Sequence, residues 1–326
     1  MKNFKTGKII GLAIAVLIII LFICIAYIYF FLPNIAVEDL KVDITPERIE
    51  RGKYLANHVM VCMDCHSTRD WSKFSGPPVP GTEGKGGEKF DQTMGFPGMF
   101  FSPNITPFSL ASWSDGEIFR AITSGVGKGD KPFFPVMPYP YYGQLDKEEI
   151  YCVIAYLRTL PSIEYKAPDS EADFPMNIIL HMIPEEPAFS VRPEKSDTLA
   201  YGHYLVKAAG CIECHTKDKK GQIIKELAFS GGREFKMPDG ILFSSNLTPD
   251  METGIGSWTR EAFIMRFKAY DLSTYTPAAI NKGDMMTTMP WTMYAGMDTT
   301  DLSSIYHALM TDKPISNKVV RWIPYK

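Results

Sequence analysis

Cys62-Met63-Asp64-Cys65-His66 and Cys211-Ile212-Glu213-Cys214-His215 are the two stretches that decide how this 326-residue chain is read. Cys-x-x-Cys-His is the attachment pattern for c-type haem. Two thiols add to the two vinyl groups of the macrocycle, and a two-residue spacer lets both sulfurs reach one porphyrin edge. The histidine that follows is placed to coordinate iron from one side. Cys62, Cys65, Cys211 and Cys214 are therefore the expected thioether positions, and His66 and His215 the expected iron ligands, for two covalently bound haem c groups. A zinc site built from paired Cys-x-x-Cys motifs sets them roughly 15–20 residues apart, whereas these start at 62 and 211, 149 apart. A thioredoxin-like dithiol needs a strand–helix setting and gives no reason for a histidine twice.

The motifs belong to an internal duplication. Arg51-Gly52-Lys53-Tyr54-Leu55 answers Tyr201-Gly202-His203-Tyr204-Leu205. Gly86-Gly87-Glu88-Lys89-Phe90 answers Gly231-Gly232-Arg233-Glu234-Phe235, and Asn104-Ile105-Thr106-Pro107 answers Asn246-Leu247-Thr248-Pro249. Trp113 answers Trp258, and Met137-Pro138-Tyr139 answers Met289-Pro290-Trp291. Two copies at a period near 150 residues imply two domains rather than a solenoid of short repeats.

The second axial ligand comes from the last of these pairs. Met thioether partners His in electron-transfer cytochromes c and raises the potential. The chain holds 17 Met, so a lone Met would count as core filler. Met137 and Met289 differ in standing at equivalent places, 71 (137 − 66) and 74 (289 − 215) residues after their histidines. Each precedes Pro, which stiffens the backbone, and then an aromatic able to wall a haem pocket. Met285, Met286 and Met293 are close rivals to Met289.

Other repeated positions say less. Asn104 and Asn246 each open an Asn-x-Thr glycosylation pattern, but their equivalent placement before Pro points to a shared loop, with the amide near a haem edge. Trp113 and Trp258 either donate to haem propionates or pack in the core. His58, His181, His203 and His307 read as packed or surface histidines. Cys24 and Cys152 cannot pair, one lying in the apolar N-terminal run and the other in an apolar helix.

From Ile9 to Leu32 the chain runs 24 residues without a charge. A bilayer core takes about 20 apolar residues in a helix. A cleaved signal peptide has a shorter apolar stretch and a small-residue cleavage site, and Phe31-Leu32-Pro33-Asn34 offers none. The run is read as an uncleaved anchor at 9–32. Lys2, Lys5 and Lys8 precede it, so residues 1–8 are expected in the cytoplasm and the haem domains on the periplasmic face. With 45% hydrophobic and 22% charged residues the rest is globular, and a net charge of −3 makes no electrostatic case for nucleic acid.

In each copy a helix leads into the motif and a Gly- and Pro-rich segment follows, 75–107 in the first, read as loop with a small hairpin. Helices are expected around 114–123 and 259–270. A closing helix in the first copy starts on an Asp146/Glu149 capping box and stops before Pro161. Its counterpart is capped at Thr299 or Thr300 and runs to about Met310. Residues 163–195 hold five prolines and have linker composition, apart from the apolar patch Met176–Ile183.

Taken together, these motifs resemble the cytochrome c subunits of bacterial membrane-bound dehydrogenases of the alcohol, aldehyde and nicotinate types. The similarity runs over roughly residues 49–315. It is carried by Gly231-Gly232, Ser245-Asn246-Leu247-Thr248-Pro249, Gly254-Ile255-Gly256-Ser257-Trp258 and Met289-Pro290, and by Phe174-Pro175-Met176 and the Arg51-Gly52 and Tyr201-Gly202 pairs. By analogy the ligand positions are Cys62, Cys65, His66 and Met137, and Cys211, Cys214, His215 and Met289.

The expected fold is all-α: two tandem class I-like cytochrome c domains on one N-terminal transmembrane helix. The divisions are 1–8, the anchor 9–32, a linker 33–48, domain 1 at 49–162, a linker 163–195, domain 2 at 196–318 and a tail 319–326. The expected function is one-electron relay in the inner membrane, from a dehydrogenase to a cytochrome or terminal oxidase, without catalysis of its own. A dihaem peroxidase is the alternative, and would need one iron with an open site. A redox sensor would need a signalling domain.

Overall fold

The computed structural model describes residues 2–325; Met1, Lys326 and the side chains of residues 2–6, Lys2 and Lys5 among them, lie outside that description. The longer helices are α1 (Lys2–Phe31), α2 (Pro46–Tyr54), α3 (Asp115–Ser124), α4 (Lys147–Thr159), α5 (Thr198–Ala208), α6 (Arg260–Lys268) and α7 (Thr299–Leu309). Within α1, Gly7–Phe31 is 25 residues with a mean hydropathy of 3.4 and is long and apolar enough to cross a membrane. Its apolar side chains point outward along nearly the whole length.

Two helix pairs organise the remainder. α2 begins on Thr45, whose hydroxyl accepts from the Arg48 N–H at 3.3 Å, with Pro46 in its first turn. It packs across α4, and α5 packs across α7. Glycine permits both crossings. A Cβ at Gly52 would run into the Cys152 carbonyl and the Tyr156 Cβ, and one at Gly202 into the Ser304 carbonyl and the Ala308 Cβ. The repeated Tyr/Arg-Gly pairs therefore mark where one helix backbone touches another.

Helix starts agree with expectation in part. Ser114 and Glu117 form a capping box at α3, and Thr259 caps α6. At α4, Asp146 is the N-cap, but Glu149 does not complete the expected box. Arg51 and Arg192 take its carboxylate at 2.6 and 2.8 Å instead, because the charged partners outbid a backbone N–H. At α7 the N-cap is Asp298, not Thr299 or Thr300.

The all-α expectation is corrected by three small antiparallel sheets. β1 (Lys89–Phe90), β2 (Gly98–Phe101) and β3 (Glu171–Ala172) form one; β4 (Asp218–Lys219) and β5 (Gln222–Ile223) form another; β6 (Glu234–Met237), β7 (Gly240–Phe243) and β8 (Trp322–Pro324) form the third. Gly and Pro keep these segments out of helix, and Pro238-Asp239 makes the β6–β7 turn. In both halves the chain beyond the closing helix returns to the hairpin: Gly98 pairs with Ala172, and Leu242 with Trp322. Residues 163–195 and 319–325 are thus tied to the hairpins they follow.

One hydrophobic core spans the halves, with Leu55, Val59, Ile150 and Ile154 continuous with Leu205, Leu302, Ile305 and Leu309. Chain pairing adds to it: Phe74 N–H donates to Ala278 O at 2.8 Å and Ile280 N–H to Ser72 O at 2.9 Å.

Candidate functional site

Each Cys-x-x-Cys stretch is a single helical turn entered from a left-handed residue, Val61 or Gly210. Residues three apart on such a turn share a face, so both thiols of a motif point the same way. The histidine N–H closes the turn on the first cysteine carbonyl, at 2.9 Å for His66 and 3.0 Å for His215.

The imidazoles are then fixed from behind. His66 Nδ1 lies 2.8 Å from Pro103 O, and His215 Nδ1 lies 2.8 Å from Ser245 O. A carbonyl can only accept, so Nδ1 carries the proton and Nε2 keeps a free lone pair for a metal. Burial lowers both histidine pKa values, against the smaller opposing effect of the carbonyl bond, and favours the neutral imidazole a ligand must be.

The accepting carbonyls stand one residue before Asn104 and Asn246, which explains the repeated Asn-x-Thr-Pro. Asn104 Oδ1 accepts from the Thr106 N–H and hydroxyl at 2.8 and 2.7 Å, and its amide donates to Ile163 O and Tyr165 O, both at 2.8 Å. Asn246 repeats this with Thr248, donating to Ile315 O and the Thr253 hydroxyl. The shared loop is as expected, and the amides lock it to the chain beyond the closing helix, at Ile163 and Tyr165 in one half and Ile315 in the other. At 4% and 5% exposure with both amide hydrogens engaged, neither Asn can accept a sugar.

In the second half Cys211, Cys214, His215 and Met289 line one cavity of about 390 Å³. Its remaining walls are mainly apolar and aromatic, among them Phe263, Phe267, Tyr294 and Trp291, with Trp258 at 37% exposure and the cations Arg266 and Arg321 also lining it. The volume lies in the ligand-pocket range. Of the rivals to Met289, Met285 shares the cavity. Met286 is packed with Met237 and Leu242 in a separate cluster, and Met293 is buried in the main core.

In the first half Tyr142 joins the parts. Its hydroxyl donates to Met60 O at 2.9 Å, two residues before the motif, within electrostatic reach of Cys62 and Cys65. Its counterpart Tyr294 lies against Cys211 and Cys214 and donates to Ala209 O at 2.8 Å. Met137 begins the Pro138–Tyr142 turn, half-buried against the core, with its carbonyl accepting from the Tyr139 N–H at 2.8 Å. The turn reaches the first motif through Tyr142. Three residues before Met137, Phe134 stacks on Phe100 at 4.5 Å. Trp113 packs half-buried against the core.

The residues fit a covalently held haem. Desolvation by the surrounding protein pushes the partly exposed Cys62, Cys65 and Cys211 thiols up to about 12, and raises Cys214 as well, although that residue is exposed at the surface. They are held as neutral thiols, the form that adds across a vinyl group. All four are unpaired, as are Cys24 and Cys152. Among the described residues no group of three or more His, Cys, Asp and Glu side chains is gathered closely enough to hold a metal ion.

Sequence reasoning missed the partners that cross between halves. Ser75 donates its hydroxyl to Met289 O at 2.5 Å, so a first-half residue holds the second methionine loop. Tyr141 hydrogen-bonds Glu213, which stands between the second pair of cysteines and pairs with Arg233 at 3.3 Å. Asp64, its counterpart in the first motif, forms a buried ion pair with Arg69 at 3.0 Å, and Arg69 lies over Trp71 at 4.0 Å. No periodic signal marks these residues, since Ser75 and Tyr141 have no like partner at the repeat.

No family model matches the chain. It is 27% identical over 247 residues, 71% of its length, to the gluconate 2-dehydrogenase cytochrome c subunit of Pantoea cypripedii, of which the match covers 52%. It is 25% identical over 242 residues, 70% of its length, to the cytochrome c subunit of the quinone alcohol dehydrogenase of Gluconobacter oxydans, of which 48% is covered. A diheme cytochrome c-type protein of Cereibacter sphaeroides is 28% identical over 58% of this chain and 63% of its own length. The chain spans about half the length of the first two relatives. In sequence it resembles the cytochrome c subunits of bacterial gluconate and alcohol dehydrogenases.

Proposed function

We propose that this chain is a membrane-anchored dihaem c-type cytochrome that relays single electrons and catalyses no reaction of its own. The observation that carries the reading is the convergence of Cys211, Cys214, His215 and Met289 on one apolar cavity, with His215 Nδ1 already committed to a carbonyl. Cys62, Cys65, His66 and Met137 hold the equivalent group in the first half. The two cytochrome domains are 49–162 and 196–318.

When bound, each haem supplies a one-electron ferric/ferrous couple. The residues that would hold it are His66 and His215, through Nε2, and Met137 and Met289, through their thioether sulfurs. The protein also excludes water with aromatic walls, and Arg266 and Arg321 stand ready to neutralise propionates. An iron taking both a His and a Met ligand would have no open site for peroxide, which disfavours a dihaem peroxidase. The donor is a dehydrogenase subunit, by analogy with the relatives, and the acceptor a cytochrome or terminal oxidase. Residues 9–32 anchor the chain in the inner membrane, with the haem domains on the periplasmic face.

Purified protein should carry two haems that resist acid–acetone extraction. A mass gain of a single haem, or colourless protein from a host able to attach haem, would refute the count.

A further inference from the structure

We infer that the short helix Met176–Ile179 and the turn Leu180–Met182, with Phe174 before them, form a foot that rests in the outer interface of the bilayer α1 crosses. The inference rests on the reading of α1 as a membrane span. Between residues 7 and 31 of α1, Ile25 and Ile28 are the only side chains that are not exposed. They stand three apart, on one helix face, and the segment that packs on α1 is the foot. The Tyr29 and His181 rings lie 4.7 Å apart.

The height follows from lengths. Twenty-five residues at about 1.5 Å each make roughly 37 Å, against a hydrocarbon core of about 30 Å. The last ~7–9 Å of α1, about the rise from Ile25 to Phe31, therefore reaches the headgroup boundary. Tyr27, Tyr29, Phe30 and Phe31 are exposed there, the aromatic belt expected at that depth. The foot touches α1 on this stretch.

The foot also completes the helix end. The Leu32 carbonyl, which no further helical turn can satisfy, accepts from His181 Nδ1 at 2.8 Å. The outward side of the foot is apolar: Phe174 is 79% exposed and Met182 50%. Acids border this apolar side: the exposed Asp173, which accepts from Gln92 Nε2 at 3.0 Å, and the exposed Glu185 and Glu186, whose charges suit the headgroup side of the interface. An apolar face fixed against a lipid-facing helix at the interface fits lipid, and it sets the tilt of the haem domains.

The test uses the full haem-loaded chain in phosphatidylcholine vesicles. With Cys24→Ser as background, spin labels go on Phe174→Cys, Met182→Cys, the distant exposed Met251→Cys and the mid-span Leu17→Cys. Collision accessibility to oxygen and to a water-soluble nickel chelate is then compared. Labels at 174 and 182 should favour oxygen several-fold more than at 251, and less than at 17. Nickel accessibility at 174 and 182 equal to that at 251 overturns the foot. Shielding from both reagents overturns it too, and assigns the patch to protein contact such as a second copy. If the label at 17 also reads as aqueous, the span itself fails and takes the foot with it.

Discussion

The hydroxyl of Tyr54, on the helix leading to the first motif, donates to the Asp301 carboxylate of the other half at 2.7 Å. It also accepts from the Asp298 N–H at 3.0 Å. The relationship is reciprocal, since Tyr204 accepts from the Asp146 N–H at 3.1 Å. Each closing helix has its first exposed N–H satisfied by the tyrosine of the opposite copy, so the halves complete one another. Asp301 is fully buried, and Tyr201 and Lys195 reach it only at 3.3 Å. Tyr54→Phe should therefore cost about 1.5–3 kcal/mol, the range for a hydrogen bond to a charged group. Tyr204→Phe removes a neutral bond and should cost about 1 kcal/mol. Urea unfolding read by far-UV circular dichroism measures both, and equal losses would contradict this account.

Gly52→Ala and Gly202→Ala test the helix crossings. In each case the new methyl meets a backbone carbonyl, which cannot swing aside as a side chain can. The crossing must open, at about 1–3 kcal/mol or more. Since α2 and α5 feed directly into the haem motifs, the yield of haem-loaded protein should fall with stability. Normal yield and midpoint for either variant would show that the crossing is looser than described.

His58 makes the junction pH-sensitive. Burial holds its imidazole below the ordinary 6.5, helped by Lys268 and Lys53 and opposed by its bond to Met293 O and by Asp298. In that window the unfolded chain takes up a proton that the folded one refuses. Stability is therefore full above about pH 6.5 and falls as the pH drops toward the lowered folded value. Thermal midpoints between about pH 7.5 and about pH 5.5 should fall more steeply for wild type than for His58→Gln. Parallel curves would assign the acid sensitivity to other groups.

Much of the site was legible because the duplication doubles each signal. Cys-x-x-Cys-His, Asn-x-Thr-Pro and Met-Pro stood out by occurring twice in one order, and the structure gives the Asn positions a shared job. Ser75, Tyr141 and Tyr54 act across the junction, and a contact between distant segments leaves no period to count. The capping box at Asp146 failed for a related reason: the local pattern was present, but Arg51 and Arg192 arrive from elsewhere to claim Glu149. The β3 and β8 strands are two and three residues long, too short for alternation to show.

The proposed topology has a direct assay. An alkaline phosphatase fused after Lys326 should be active and should stay with the membrane after an alkaline wash. An inactive fusion would place the haem domains on the cytoplasmic side, and release would mean that the anchor is cleaved.

The methionine assignment separates relay from peroxidase. With Met137 and Met289 both bound, both ferric haems are six-coordinate and low-spin, and each contributes a weak near-infrared band of iron–thioether ligation. Met137→Ala should remove one share of that band and leave the other, because each methionine stands in its own loop with its own brace, even though Tyr141 links the first loop to Glu213 of the second motif. Ser75 and the Pro290 turn brace Met289, while the turn after Met137 is fastened through Tyr142 to Met60. The altered haem should become high-spin or take up water, and its potential should fall, since Met ligation raises it. Both haems should stay attached, because the thioethers are untouched. Met289→Ala should mirror this in the second half. Met285 lines the same cavity and is the internal control: loss of the second band in Met285→Ala, with none in Met289→Ala, would move the ligand there. Ser75→Ala should weaken the second band without abolishing it. A wild-type protein with one high-spin haem and rapid peroxide turnover would overturn the relay reading.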